Sequence, residues 1–131
     1  MIRALAIVLV LASCGSKQPE PAAPQQKQLM TPEMVTFHGV LEPHWQAAPG
    51  PQRMKDTCAA LPDFHRDADA IAKATPPVAA NADTWTTATK QLVDAVAGLD
   101  AACQTIDPSA FELALEKVHE AFRALVSAAK M

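Results

Sequence analysis

The histidines and methionines of this chain are the side chains best suited to holding a metal ion or a haem iron. The 131 residues include four histidines and five methionines. A neutral imidazole ligates zinc, copper, nickel and haem iron, and a thioether ligates cuprous copper and haem iron. The candidate ligands are His38, His65, His119 and Met34. None of them has a recognised metal-binding spacing such as His-Glu-x-x-His, so this hypothesis depends on how the chain folds.

The three cysteines divide into one near the N-terminus and two in the body of the chain. Cys14 follows Arg3 and an uninterrupted apolar run from Ala4 to Ala12, which is the layout of a secretory signal. The run is far shorter than the roughly 20 residues that a membrane-spanning helix needs. Leu-Ala-Ser-Cys at positions 11–14 resembles the lipobox of bacterial lipoproteins. The resemblance implies a signal peptide over residues 1–13 and lipidation of Cys14.

The same resemblance implies localisation to the cell envelope, with the membrane as a partner through the N-terminal lipid. In that family the residue after the lipidated cysteine helps to select the membrane, and Gly15 is not the aspartate associated with retention in the inner membrane. We therefore expect an outer-membrane anchor facing the periplasm. Residues 14–30 are rich in Pro and Gln, which predicts a disordered linker, and residues 31–131 are enough for one small domain.

Cys58 and Cys103 remain for other uses. In an oxidising envelope two such cysteines most often form a disulfide. In the chain-entropy model, this disulfide would stabilise the folded state by about 4 kcal/mol, because it closes a long loop in the unfolded chain. Paired metal ligands and free thiols are the alternatives.

The domain is rich in Ala, contains no Tyr and lacks the alternating β-branched runs of strands, which predicts an all-α fold. Capping and proline signals define four helical segments, running from Thr31 to Pro49, from Pro51 to Thr75, from Asn81 to Cys103, and from Asp107 nearly to Met131. Their short connections predict an up-down-up-down four-helix bundle. Pro43 and Pro62 lie inside two of these segments and should kink or split them.

Apolar residues three and four positions apart predict the buried face of each helix. On the first helix this face comprises Met34, Phe37, Leu41 and Trp45, and on the second it comprises Met54, Cys58, Leu61, His65, Ala68 and Ala72. On the third it comprises Trp85, Ala88, Leu92, Val96, Leu99 and Cys103, and on the fourth Phe111, Leu115, Val118, Phe122, Leu125 and Ala129.

If each predicted helix runs antiparallel to the one before it, residues at equal distances from a turn lie at the same height along the bundle. This count places Met34, His65, Leu92 and His119 in one layer, with His38 one helical turn away. A layer with Met on the first helix and His on the fourth resembles the haem-b four-helix cytochromes of the periplasm, in which these two side chains are the axial ligands. The end of the second helix, Lys-Ala-Thr-Pro-Pro at positions 73–77, is also similar to that family. The resemblance implies haem b, and the same residues suit a transition metal. Covalent haem is excluded, because the chain contains no Cys-x-x-Cys-His.

The composition and motifs argue against two broad functional classes. The net charge is −3, which disfavours nucleic-acid binding. No Gly-rich phosphate loop or Gly-x-Ser-x-Gly elbow is present, so we expect no enzymatic activity. The sequence therefore predicts a lipid-anchored, non-catalytic binding or structural module with an envelope protein as partner. A metal- or haem-binding protein is the alternative to this function. For the histidines, the alternative is a structural role, with His65 in the core and the others half-exposed.

Overall fold

The computed structural model describes residues 30–130, and over this range it contains five α-helices and no strand. The helices are α1 (Pro32–Gln46), α2 (Pro51–Ala59), α3 (Leu61–Lys73), α4 (Ala82–Thr105) and α5 (Pro108–Ala128). The all-α prediction is confirmed for this part of the chain. The predicted signal peptide, Cys14 and the linker up to residue 29 lie outside the described residues. No helix between residues 30 and 130 is long and apolar enough to cross a membrane.

Three helices begin where their capping residues predict. The hydroxyl of Thr31 accepts a hydrogen bond from the Met34 N–H at 3.2 Å, at the start of α1. The Asn81 side chain accepts from two backbone N–H groups in the first turn of α4, and the Asp107 carboxylate accepts from the Ser109 N–H at the start of α5. Each cap stabilises its helix by about 1 kcal/mol. These short-range signals fix the helix starts independently of tertiary packing.

The two internal prolines have different effects. Pro62 splits the predicted second helix, because α2 ends at Ala59 and α3 begins at Leu61. Proline has no N–H to donate and its ring crowds the preceding turn, so the helix is interrupted just before it. Pro43, in contrast, lies inside α1, which continues to Gln46.

The core lies mainly between α4 and α5, which have the most extensive contact of any helix pair, with α3 and α1 packed against them. The predicted faces of α1, α4 and α5 are confirmed in large part, and their fully buried large side chains are Met34, Phe37, Leu41, Leu92, Val96, Leu99, Phe111, Leu115, Val118 and Leu125. The predicted face of the second helix is confirmed only in part: Met54, Cys58 and Leu61 are half-buried against the core, whereas His65 is half-exposed and Ala72 is exposed. Apart from Ala68, the residues buried on α2 and α3 are Arg53, Thr57, Phe64, Asp67 and Ile71. Phe64 and Ile71 bury more apolar surface than His65 and Ala72 would. Helix α3 therefore turns Phe64 and Ile71 toward the core instead of the predicted pair.

A disulfide joins Cys58 on α2 to Cys103 near the end of α4, with Cα atoms 5.7 Å apart. The predicted pairing is therefore confirmed. His65 on α3 forms a second contact with α4, at Asp100. His65 follows Cys58 in the chain whereas Asp100 precedes Cys103, so the two contacts indicate an antiparallel arrangement. Together the two contacts fix the register of α2 and α3 against α4.

Removing the disulfide should destabilise the domain. In a Cys14→Ser background, the Cys58→Ser/Cys103→Ser variant should lose about 4 kcal/mol of unfolding free energy, because its unfolded chain is no longer cross-linked. Urea denaturation followed by circular dichroism measures the loss. A reductant should lower the stability of the parent by a similar amount and leave the double variant unchanged; a parent indifferent to reductant would contradict the prediction.

Ile106 ends α4 in the left-handed conformation, with φ of +60°, and its side chain is 80% exposed. A β-branched residue is costly in this region, which Gly and Asn adopt readily. We expect Ile106→Asn to raise the free energy of unfolding by about 1 kcal/mol, whereas Ile106→Val, which keeps the branched side chain, should change it little. Chemical denaturation of the two variants tests this. A loss of stability in Ile106→Asn would mean that side-chain packing outweighs the backbone strain.

Candidate ligand-binding cleft

The predicted Met/His layer is not assembled as one site. Met34 is fully buried in the core, while the His65 side chain is 41% exposed and its Nε2 lies 2.8 Å from the Asp100 carboxylate. Asp100 is about two helical turns beyond Leu92, the residue that was expected opposite His65. The predicted layer assumed that the end of α3 and the start of α4 lie at the same height along the bundle axis. Instead Asp100 lies much further from the start of α4 than His65 lies from the end of α3, so α4 projects past α3.

His38 and His119, in contrast, line one cleft between α1 and α5. The volume of this α1/α5 cleft is about 510 Å³. Its walls combine apolar and charged side chains, and the charged ones are Glu42 on α1 and Arg123 and Lys130 near the end of the chain. Two of the predicted ligands therefore face the same space.

On the α1 side of the cleft, His38 is held by two contacts. Its Nε2 lies 3.3 Å from the Glu42 carboxylate, one helical turn further along α1. Its ring stacks on Phe122 of α5, with centroids 5.7 Å apart and planes 27° apart. Phe122 also stacks on Phe37 at 5.3 Å, so the imidazole rests on an aromatic pair that joins α1 to α5. These contacts position His38 without any ligand.

On the α5 side, His119 stacks face to face on Trp45, with ring centroids 3.9 Å apart and planes 7° apart. Burial lowers the pKa of His119, and the positive charge of Arg123 one turn away lowers it further, while Glu42 and Glu120 act in the opposite direction. A depressed pKa favours the neutral imidazole, which is the form that stacks without desolvating a charge.

Trp45 is positioned in turn by Arg53. The guanidinium carbon of Arg53 lies over the indole, 5.4 Å from the ring centroid, and Nη1 donates to the Ala47 carbonyl at 3.2 Å. Only 7% of Arg53 is exposed, and Nη2 lies 3.7 Å from the Glu112 carboxylate of α5. Arg53 therefore ties the end of α1 to α2 and α5 beneath the tryptophan.

Two further grooves contain fewer polar groups than the α1/α5 cleft. One, of about 760 Å³, lies beside the disulfide and is lined largely by apolar residues that include Ile106. The other, of about 800 Å³, follows α4 and α5 and is lined mainly by Ala and Gly. Small-molecule sites combine an apolar lining with a few convergent polar groups, and the α1/α5 cleft fits that description best.

Within residues 30–130, no group of three or more His, Cys, Asp or Glu side chains is placed to hold a metal ion. No Ser, Thr or Cys lies within hydrogen-bond reach of a histidine among the described side-chain contacts. What the cleft offers a ligand is aromatic and aliphatic surface with cations at its edge.

The sequence interpretation found His38 and His119 but missed Arg123 and Lys130. Arg123 follows His119 by one helical turn, as Glu42 follows His38, so each pair was predictable as a neighbour on its own helix. That the two pairs lie in one cleft was not predictable from the sequence, because it depends on how α1 packs against α5. No protein-family model, curated protein or solved structure matches this chain.

Arg123→Gln should raise the pKa of His119 toward its ordinary value, because it removes a positive charge from the imidazole. Unfolded histidine has a pKa of about 6.5, so a lowered folded value costs stability as the pH falls through that range. The variant should therefore lose less unfolding free energy than the parent between about pH 7 and pH 5.

An NMR titration of the His119 ring measures the pKa, and urea unfolding at several pH values measures the stability. Lys117→Gln is the matched control, because Lys117 lies on α5 but lines the groove shared with α4. An unchanged His119 pKa in Arg123→Gln would mean that the charge of Arg123 does not act on the imidazole.

Proposed function

We propose that this protein is a lipid-anchored binding module of the bacterial cell envelope, attached through Cys14 to the outer membrane and facing the periplasm. The observation that carries the proposal is the Cys58–Cys103 disulfide. Structural disulfides are typical of oxidising compartments such as the periplasm. The pair uses two of the three cysteines, and the third ends the Leu-Ala-Ser-Cys motif that resembles a lipobox.

We further propose that the domain is an up-down-up-down bundle in which α2 and α3 together count as the second helix. The Cys58–Cys103 and His65–Asp100 links support an antiparallel arrangement of α2 and α3 against α4. The stacks of Trp45 on His119 and of His38 on Phe122 support the same for α1 against α5. Such a scaffold presents a rigid cleft between its first and last helices.

Binding is favoured over catalysis by the contents of the α1/α5 cleft. Its two imidazoles already contact Glu42, Phe122 and Trp45, which fixes their orientation. Its remaining surface is apolar with cations at the edge, which suits recognition of a small molecule or of a segment of an envelope protein.

The alternative is a transition-metal- or haem-b-binding protein. It is supported by the cleft that His38 and His119 share, since neutral imidazoles ligate copper, zinc and haem iron. His65 and Met34 would take no part, because His65 faces Asp100 and Met34 lies in the core. Elemental analysis and an absorption spectrum of residues 31–131, secreted to the periplasm and purified without a tag, distinguish this alternative.

Lipidation of Cys14 tests the main proposal. Bacteria grown with an alkyne-bearing fatty acid should label the wild-type protein and deliver it to the membrane fraction, whereas Cys14→Ala should stay unlabelled with its signal uncleaved. The control is Cys58→Ala/Cys103→Ala, which should keep the label, because acylation acts on the N-terminal segment. Label that persists in Cys14→Ala, or a wild-type protein that takes up none, would overturn the proposed anchor.

A further inference from the structure

The α1/α5 cleft has an apolar floor. Leu41 and Phe122 lie beneath it at 0% and 4% exposure, and the apolar side chains that face the cleft are Val35 on α1, which is 43% exposed, and the half-buried Val126 on α5. A ligand that enters the cleft therefore exchanges water for aliphatic and aromatic surface. This favours a hydrocarbon group over a polar one at the floor.

The charges around this floor are unbalanced. Arg123 and Lys130 line the cleft, and neither forms an ion pair with another residue between 30 and 130. Glu42 is the cleft's carboxylate, and its Oε2 lies 3.3 Å from His38 Nε2. A ligand anion would thus meet two unpaired cations, whereas a ligand cation would meet a carboxylate that already has a partner. The guanidinium of Arg123 can pair with a carboxylate or phosphate through two parallel hydrogen bonds.

We infer that the α1/α5 cleft binds an anionic amphiphile with a single alkyl chain, such as a fatty acid or an alkyl phosphate. The anionic head group contacts Arg123 and Lys130, and the chain lies against Val35 and Val126, above the buried Leu41 and Phe122. The inference rests on the proposed function as a binding module and names its ligand class. The cleft volume of about 510 Å³ suits one alkyl chain and is too small for a two-chain phospholipid.

Calorimetry with alkyl phosphates tests this inference. The mature chain from residue 15 onward, which has neither the predicted signal nor the lipidated cysteine, is purified with its disulfide intact and without detergent and is titrated with decyl phosphate below its micellar concentration. We expect one molecule to bind per chain. Octyl phosphate should bind roughly fifteenfold more weakly, because it has two methylenes fewer and each buried methylene changes Kd by about fourfold.

Three comparisons locate the head group and the chain. Arg123→Gln should weaken decyl phosphate binding at least tenfold, whereas Lys117→Gln on the same helix should leave it unchanged. Val126→Asp, which places a carboxylate beside the floor, should abolish binding. Decyltrimethylammonium, with the same chain and a cationic head, should not bind to the parent. Circular dichroism of each variant establishes that it is folded.

Binding of decyl phosphate that survives both Arg123→Gln and Val126→Asp would overturn the inference, as would equal affinity for decyltrimethylammonium. If uncharged decyl maltoside binds best and Val126→Asp abolishes it, the cleft is a binding site but not an anion-selective one, so the inference fails and the binding module stands. Sedimentation with phosphatidylglycerol vesicles without binding of the monomeric amphiphile would also overturn it, in favour of a membrane surface. If none of these probes binds, the inference fails, and the lipid anchor is judged separately by the labelling of Cys14.

Discussion

Helix α2 is held in place by a covalent bond and a cation more than by apolar burial, since its apolar residues Met54 and Cys58 are only half-buried against the core. The side chains that it buries are Arg53 and Thr57, and the Arg53 Nε and Thr57 Oγ1 atoms have no hydrogen-bond partner within residues 30–130. An unsatisfied buried polar atom costs about 1–3 kcal/mol, so α2 cannot dock by burial alone. The Cys58–Cys103 disulfide supplies a constraint of the same order by restricting the unfolded chain.

The geometry of the cleft depends on the docking of α2 through a short series of contacts. Arg53 on α2 lies over Trp45, and Trp45 stacks on His119, which lines the cleft. On the other side, His38 rests on Phe122, which packs on Phe37 of the core. Both imidazoles are therefore oriented by rings. Stacking constrains a ring in its plane as well as its distance, and this gives the cleft a defined shape before any ligand arrives.

Local chemistry made much of the fold predictable. Asn81 and Asp107 mark helix starts because a side chain caps the backbone a few residues away, and Cys58 and Cys103 follow from their number and the expected compartment. The errors arose where position depends on distant packing. Phe64 displaced His65 from the predicted core, and the projection of α4 beyond α3 moved the partner of His65 from Leu92 to Asp100. Counting residues from a turn cannot detect such a shift, because the linker between two helices adds axial length that the sequence does not specify.

A surface cation without a partner is common in proteins. An exposed ion pair adds only about 0–1 kcal/mol to the free energy of unfolding, so the fold gains little by forming one. Arg123 and Lys130 therefore argue for a ligand only through what lies beside them. Glu42 is close enough to raise the pKa of His119 and is placed beside His38, yet neither cation pairs with it. The same cleft exposes apolar surface from both α1 and α5. An anion joined to a hydrocarbon chain satisfies both features at once, whereas a free anion or a neutral hydrocarbon satisfies only one.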